Sequence, residues 1–523
     1  MPNKQKDDLF QLIHSLEKGE KRNFKLYVQR NTANGELKAI QLFDVLDKMD
    51  EYDETVLLKK SKSISKIQLS NIKANLYKQI LASLRLIKGC DNIDLQLHDQ
   101  LDQAKLLYNK GLHLQSLKLL DKAKQLARQF HQLAYLQQII GFEKKIEALH
   151  ITRSMQHRAD MLSEESLKVT VQMEHVSKLS NLSLQLYSWY ISHGNARNKT
   201  DIDGIEQLFK ALMPNLPSAD KLGFYEKLYL YQSYCWLTFI RHDYLGYYRS
   251  TQKWVNLFEQ EPAMMQVESV HYIKGMHNLL SAHYDLKNYV KFDETLQVFD
   301  AYYHGLSETE KANERIQTFV YLYTSKIHKH YLEGTFTKGL VLVPEIMEKL
   351  DEYRLYLDRH RILVFYYKIA CLYFGSADNE KAIEYLSKII NWKVDLRSDL
   401  QCYARLLHLI AHFELGNHDL LAYLIKSVYR FMAKMENLSE VEEAMFQFMR
   451  ASFHLSARNV KPKLQLLLDK IKKYENKSSE ARAFAYLDVV SWIESKLENI
   501  PIEKVIRRKY LAAKNQEKKV PAV

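Results

Sequence analysis

Large apolar residues recur three and four positions apart along much of the chain, which is the spacing of one helix face. The clearest stripe is Leu69, Ile72, Leu76, Ile80, Leu84 and Ile87, and at 100° per residue it predicts a helix beginning near Ser65. Upstream, the same pattern predicts helices near 7–17, 20–30 and 36–50, with Asn34-Gly35 as a turn and the acid cluster Asp50 to Glu54 as a second break. Strong breakers are scarce, with 15 Gly and 8 Pro among 523 residues, so long uninterrupted helices are expected throughout.

From about residue 97 the apolar pattern itself repeats. Ala370, Tyr373, Asn379, Ala382, Leu386 and Ile389 read small, aromatic, turn, small, large, apolar, with Gly375 and Asp378 between two helical runs. The same spacing returns as Ile327, His330, Phe336, Gly339, Val343 and Ile346, with Gly334 in the turn. It returns again as Ala104, Leu107, His113, Ser116, Leu120 and Ala123 around Gly111, and as Leu409, His412, His418, Leu421, Ile425 and Val428 around Gly416. Weaker copies start at Ser192, Cys235, Leu280 and Ser452, where residues such as Tyr247 and Phe292 replace the small one and imply wider helix separation. Successive starts differ by 88, 43, 45, 47, 43, 39 and 43 residues, and the double step implies a poorly conforming unit near Ala148.

This pattern resembles the tetratricopeptide repeat, in which small residues such as Ala104, Ser116, Gly339, Ala370 and Ala382 let paired helices approach. The step exceeds the ~34 residues of that repeat and falls within the ~40–47 of HEAT and armadillo units. Extra helical turns account for the added length. The resemblance implies an all-α, right-handed solenoid of stacked antiparallel helical hairpins, each hiding its apolar face only against its neighbours and together forming a concave groove. The expected organisation is a basic helical module at 1–96, the solenoid at 97–475, capping helices at 476–513 and a disordered basic tail at 514–523. Tyr373 and Gly416 belong with the repeat-packing residues, together with Gly111 and Gly334 in the turns.

Charge changes the picture at the ends. The net +12 comes mainly from residues 1–90, with 17 Lys+Arg against 11 Asp+Glu, and residues 500–523, with 7 against 2. Thr55 to Cys90 holds Lys59, Lys60, Lys62, Lys66, Lys73, Lys78, Arg85 and Lys88 and no acid. Lys78 and Arg85 oppose the apolar stripe and Lys66 and Lys73 skirt its edge, a face able to meet phosphates or an acidic partner as well as solvent. Asp53–Ser61 followed by Ile64–Ile87 also has a helix-turn-helix outline, without a Gly turn between its helices.

Chemistry-bearing motifs are sparse. His408, His412 and His418 have metalloprotease-like spacing, but Leu409 stands where the general-base Glu belongs and Gly416 falls one residue late, so a role in packing is expected. His271, His277 and His283 are six apart and scatter around a helix. Cys90, Cys235, Cys371 and Cys402 lack CxxC spacing, predicting neither zinc nor disulfides and pointing to a reducing cytosol. The charged start MPNKQKDDLF predicts no secretory signal, and Ile362–Phe374, broken by Lys368, is too short for a bilayer. The 34 tyrosines, with groups such as Tyr187, Trp189 and Tyr190, Tyr229 to Trp236, and Tyr366, Tyr367 and Tyr373, predict inter-helix packing and some groove-lining rings. The expected function is a cytoplasmic, non-enzymatic scaffold without metal or cofactor that holds a protein or peptide partner. The alternative is a regulator touching nucleic acid or ribosome through residues 55–90.

Overall fold

The computed structural model describes residues 7–31, 37–61, 64–88, 92–150, 157–196, 199–306, 312–354, 356–392, 398–435, 438–452, 455, 457–474 and 488–517. Asn34-Gly35, Lys62, Cys90 and Lys518–Val523 lie outside them, as does the side chain of Lys88. The described residues are all-helical, with no strand. They form two compact units, Met1–Met173 and Glu174–Val523.

In the first unit, α1 (Asp8–Ser15), α2 (Lys18–Asn31), α3 (Leu37–Asp47), α4 (Glu54–Lys60) and α5 (Lys66–Lys88) share one apolar cluster running from Leu9 to Ile80. The stripe read from α5 supplies it: Leu69, Leu76 and Ile80 are buried, and Ile72 and Leu84 pack against them. A second cluster joins α6 (Ile93–Asn109), α7 (His113–Gln129), α8 (Leu133–Leu149) and the start of α9 (Arg158–His193). Here Ala104 and Ser116 are fully buried, and Ser116 Oγ donates to the Ala104 carbonyl at 2.7 Å where α6 and α7 pack together. Buried charges are also paired here, Glu143 meeting both Lys124 and Arg158 while Glu165 accepts from Lys124 and Arg128.

The second unit continues with α10 (Lys199–Leu212), α11 (Phe224–Ile240), α12 (Tyr244–Gln260), α13 (Met264–Val267), α14 (Ser269–Asp285), α15 (Tyr289–Gly305), α16 (Ala312–Glu333), α17 (Phe336–Gly339) and α18 (Leu342–Glu352). It is completed by α19 (Arg359–Gly375), α20 (Asn379–Ile390), α21 (Ser398–Glu414), α22 (His418–Lys434), α23 (Glu440–Ser452), α24 (Ala457–Lys472), α25 (Val489–Glu498) and α26 (Ile502–Glu517). Helices adjacent in sequence pack together, as in α11 with α12, α19 with α20, and α21 with α22. Many helices are 17 residues long, among them α6, α7, α11, α12, α14, α15, α21 and α22, and two of these plus their turns fill a step near 43. Ala148, near which a poorly conforming unit was expected, lies in α8, and the 36-residue α9 then runs unbroken over Arg158–His193, past Ser192, the start read for the next copy.

Between paired helices the chain closes with a residue of left-handed conformation at Gly111, His242, Lys287, Gly334, Ala377 and Gly416. Each is followed by a residue whose N–H bonds back five positions, such as Leu112 to Leu107 O, Asp243 to Thr238 O, Asn288 to His283 O and Asp378 to Tyr373 O. This arrangement satisfies the last carbonyls of the first helix. Asp243, Asn288 and Asp378 then cap the next helix by accepting from the N–H of Gly246, Lys291 and Lys381. Small residues sit at close approaches: Ala370 and Ala382 are fully buried, and a Cβ at Gly339 would stand 2.8 Å from Leu372 Cδ2. Tyr373 stacks on Tyr385 at 5.6 Å. Tyr247 and Phe292, which stand where small residues were expected, are buried.

The C-terminal helices do not merely follow α24. Trp492 of α25 is buried and its Nε1 donates to Glu414 Oε1 at 2.7 Å. From there α26 packs on α16: Tyr510 meets the Tyr289 ring edge-on at 4.9 Å, Arg507 Nη1 donates to the Glu333 carbonyl at 3.1 Å, and Glu503 accepts from Thr337 Oγ1 at 2.6 Å. Gly334 permits this contact, since its φ is +59° and a Cβ there would stand 2.8 Å from the Glu503 carbonyl oxygen. Neighbour-only packing does not predict these contacts across more than 160 residues. Lys514 to Glu517, expected in a disordered tail, belong to α26, where Lys514 Nζ donates to Tyr510 Oη at 2.6 Å.

Candidate functional site

The basic segment of the first unit is built on a firm helix start. Asp53 caps α4 by accepting from the N–H of Thr55 at 2.8 Å and of Val56 at 3.2 Å, and these bonds, with that from the Thr55 hydroxyl, hold its carboxyl below its ordinary value. On α4 and α5, Lys59, Lys60, Lys66 and Lys78 are exposed. Lys73 is not: it turns inward, pairs with Asp7 and donates to Tyr52 Oη at 3.0 Å. Arg85 is exposed but paired with Asp99 at 2.9 Å and Asp102 at 3.6 Å. Two of the cations expected on a phosphate-facing surface are thus engaged within the fold, because the N-cap of α1 and the first helix after residue 92 supply acids that no local reading of 55–90 contains. Ile67, Leu81 and Leu86 are exposed on α5 among the remaining cations.

A second constellation lies in the second unit, where α14 packs on α16 and α16 on α19. Lys274 of α14 stands over the rings of Tyr187 and Trp236, 5.5 and 5.4 Å from their centroids. One turn on, His277 stacks on Tyr321 of α16 at 4.3 Å, and Arg361 of α19 lies 5.8 Å from the same tyrosine ring. Further along, Tyr284 stacks on His328 at 4.4 Å, His328 Nε2 meets Lys368 Nζ, and Tyr331 Oη donates to the Lys368 carbonyl at 2.5 Å. Cations and rings therefore alternate across α9, α11, α14, α16 and α19. Beside Lys274 a cavity of about 190 Å³ opens between Tyr190, Trp236, Phe239, His277, Asn278 and Ser281.

Burial and like charge set the electrostatics of this face. Burial lowers the His277 pKa to about 3, and Lys368, Lys274 and Arg361 push it the same way, so the ring is neutral at pH 7. Its Nδ1 is buried without a hydrogen-bond partner. Burial also lowers Lys274, with Arg361 adding to the effect, and takes His271 to about 4. Asp285, near Tyr284, is raised to about 7 by burial. Among the described residues no carboxylate lies within ion-pair distance of Lys274.

The histidines read from the sequence do not converge. His271 contacts Gln232 at 2.9 Å, His277 contacts Tyr321, and His283 packs against Tyr248 at 5.2 Å. His408 and His412 meet edge-on at 4.5 Å, with His412 Nδ1 2.9 Å from Asn417 Nδ2. His418, expected to pack between helices, is instead exposed at the start of α22. Among the described residues no group of three His, Cys, Asp or Glu side chains could hold a metal ion. Cys235 and Cys402 are buried and Cys371 is partly buried, and none of the three is in a disulfide. No described helix is long and apolar enough to cross a membrane.

Lys274, Tyr321, His328, Arg361 and Lys368 were not singled out by motif reading. The signal was present in the repeat register: positions six before and one after the starts at 235, 280 and 327 are Tyr229 and Trp236, Lys274 and Ser281, Tyr321 and His328. Seven residues make two helical turns, so each pair lies on one face. Compared with protein-family models, with curated proteins and with solved structures, the chain has no match in any of the three.

Proposed function

We propose that this protein is a non-enzymatic binding scaffold whose helix pairs stack as a tetratricopeptide-like solenoid and whose face across α11, α14, α16 and α19 holds a peptide or helix of a protein partner. The observation that carries this reading is the placement of Trp236, Lys274, His277, Tyr321 and Arg361 on α11, α14, α16 and α19, where rings and cations stand beside one cavity. Aromatic and arginine side chains concentrate binding energy at protein interfaces. A cytoplasmic setting is part of the same proposal and accords with cysteines that are not joined in disulfides.

Site-specific photo-crosslinking tests it. Benzoylphenylalanine at Asn278 or Val364 is expected to trap the same partner, while the probe at the exposed Val298 or Leu466 does not; equal trapping from all four positions would refute the assignment of this face.

The exposed Lys59, Lys60, Lys66 and Lys78 favour a second reading, contact with DNA or RNA through α4 and α5. Four phosphate contacts would give log K a slope against log salt of about −3 to −4. Changing these four lysines to Glu is expected to abolish such binding, and a salt-independent signal would remove the reading. Lys73 stays unchanged in that test because its loss would unpair Asp7.

A further inference from the structure

We infer that the occupant of this face is an acidic peptide segment carrying one large apolar side chain, which enters the cavity between Trp236 and Asn278 while flanking carboxylates meet Lys274 and Arg361. The inference rests on the scaffold reading and adds the chemistry of its ligand.

Charge complementarity is the first argument. Among the described residues Lys274 has aromatic faces but no carboxylate at ion-pair distance, whereas Arg361 Nε pairs with Oδ2 of the exposed Asp358 at 3.4 Å, whose Oδ1 accepts the Arg361 backbone N–H at 2.8 Å. Lys368 adds a third cation one repeat face further on, held by His328. The acids that border the face are occupied or uncharged in part: Glu268 accepts from Tyr225 Oη at 2.6 Å, and Asp285 sits where burial favours its protonated form. Like charges crowd one another here, and a bound carboxylate would relieve that repulsion in a partly desolvated setting where charge-assisted hydrogen bonds are strongest.

Size is the second argument. Sites for small molecules and cofactors run to roughly 300–1,000 Å³, and a cavity of about 190 Å³ suits a single large side chain. Its walls divide by chemistry: Tyr190, Trp236 and Phe239 present rings, whereas His277, Asn278 and Ser281 lie together on α14. The Asn278 amide contacts Cys235 Sγ at 3.9 Å, so α14 sets a polar side chain on the wall away from the rings, where a main chain can meet it while its side chain points into the ring-lined end.

Selection of a displayed library of random 12-residue peptides on the full chain, followed by fluorescence anisotropy with the recovered peptides, tests this. The expected consensus places Asp or Glu within two positions of Leu, Phe or Trp. Lys274→Met and Arg361→Met, which keep the side-chain stems, are each expected to weaken binding about tenfold. Ser281→Trp is expected to block the cavity without a change of charge, and Val298→Trp at an exposed site is the control that leaves affinity unchanged. Neutral or basic peptides whose binding is blocked by Ser281→Trp but indifferent to Lys274→Met would overturn the acidic-ligand inference and leave the scaffold reading standing. Recovery of no peptide, or of peptides indifferent to Ser281→Trp, would overturn both.

Discussion

At the residue scale, left-handed turn positions show how physical demand and residue type can part. Gly111, Gly334 and Gly416 meet the demand directly, whereas His242, Lys287 and Ala377 adopt the same conformation with a Cβ, at a cost of roughly 1 kcal/mol each. Ala377→Gly is therefore expected to stabilise the second unit by about 0.5–1 kcal/mol, read as a higher urea midpoint with unchanged slope. No change or a loss would show that the helix-end contacts hold Ala377 for another reason. The buried Glu143, between Lys124 and Arg158, is the opposite case. Glu143→Ala leaves Lys124 with Glu165 alone and Arg158 with Glu147 alone, and is expected to cost about 3 kcal/mol in unfolding of the first unit.

Helix pairs set the next scale, where packing is decided by a few contacts that no single helix specifies. Gly375 ends α19 against the ring of Phe336 in α17, and a Cβ there would overlap that ring. Gly375→Ala is expected to destabilise by about 1–3 kcal/mol, and Phe336→Leu in the same chain should recover part of the loss; strictly additive effects in that cycle would deny the contact. Between α7 and α9, burial alone would raise the Glu165 pKa, yet hydrogen bonds from Lys124 and Arg128 outweigh it and hold the carboxyl below its ordinary value. A group whose folded pKa is depressed stabilises the fold above its unfolded pKa, near 4.3. Stability of the first unit should therefore fall as pH drops below about 4.3, and Glu165→Gln should flatten that part of the curve in pH-dependent urea unfolding. Basic residues teach the same lesson from the side of the sequence. The apolar stripe of α5 was legible because it depends only on spacing, but the capture of Lys73 by Asp7 and of Arg85 by Asp99 depends on which distant acids the bundle brings alongside.

Across the second unit, the C-terminal helix supplies contacts that a neighbour-only stack lacks. Val505 and Tyr510 are buried, with Tyr510 against Tyr289, and Glu503 and Arg507 hold the turn at Glu333 to Thr337. Removing 501–523 is expected to lower amide-exchange protection in α15, α16 and α17 as well as in α25. Loss confined to residues 440–498 would mean that α26 acts only as an end cap.

Spacing alone determined the all-helical class and the long helix over 66–88, because a helix face is periodic in sequence. It also singled out Ala104, Ser116, Ala370 and Ala382, all of them fully buried in the fold. Tertiary structure decided which charges are free, where α9 runs through two segments without a turn, how α26 returns to α16, and that Lys274, His277, Tyr321 and Arg361 face one another. Those facts depend on contacts between residues tens to hundreds of positions apart. Contact at that range is set by the summed packing of many helices, and no local pattern carries it.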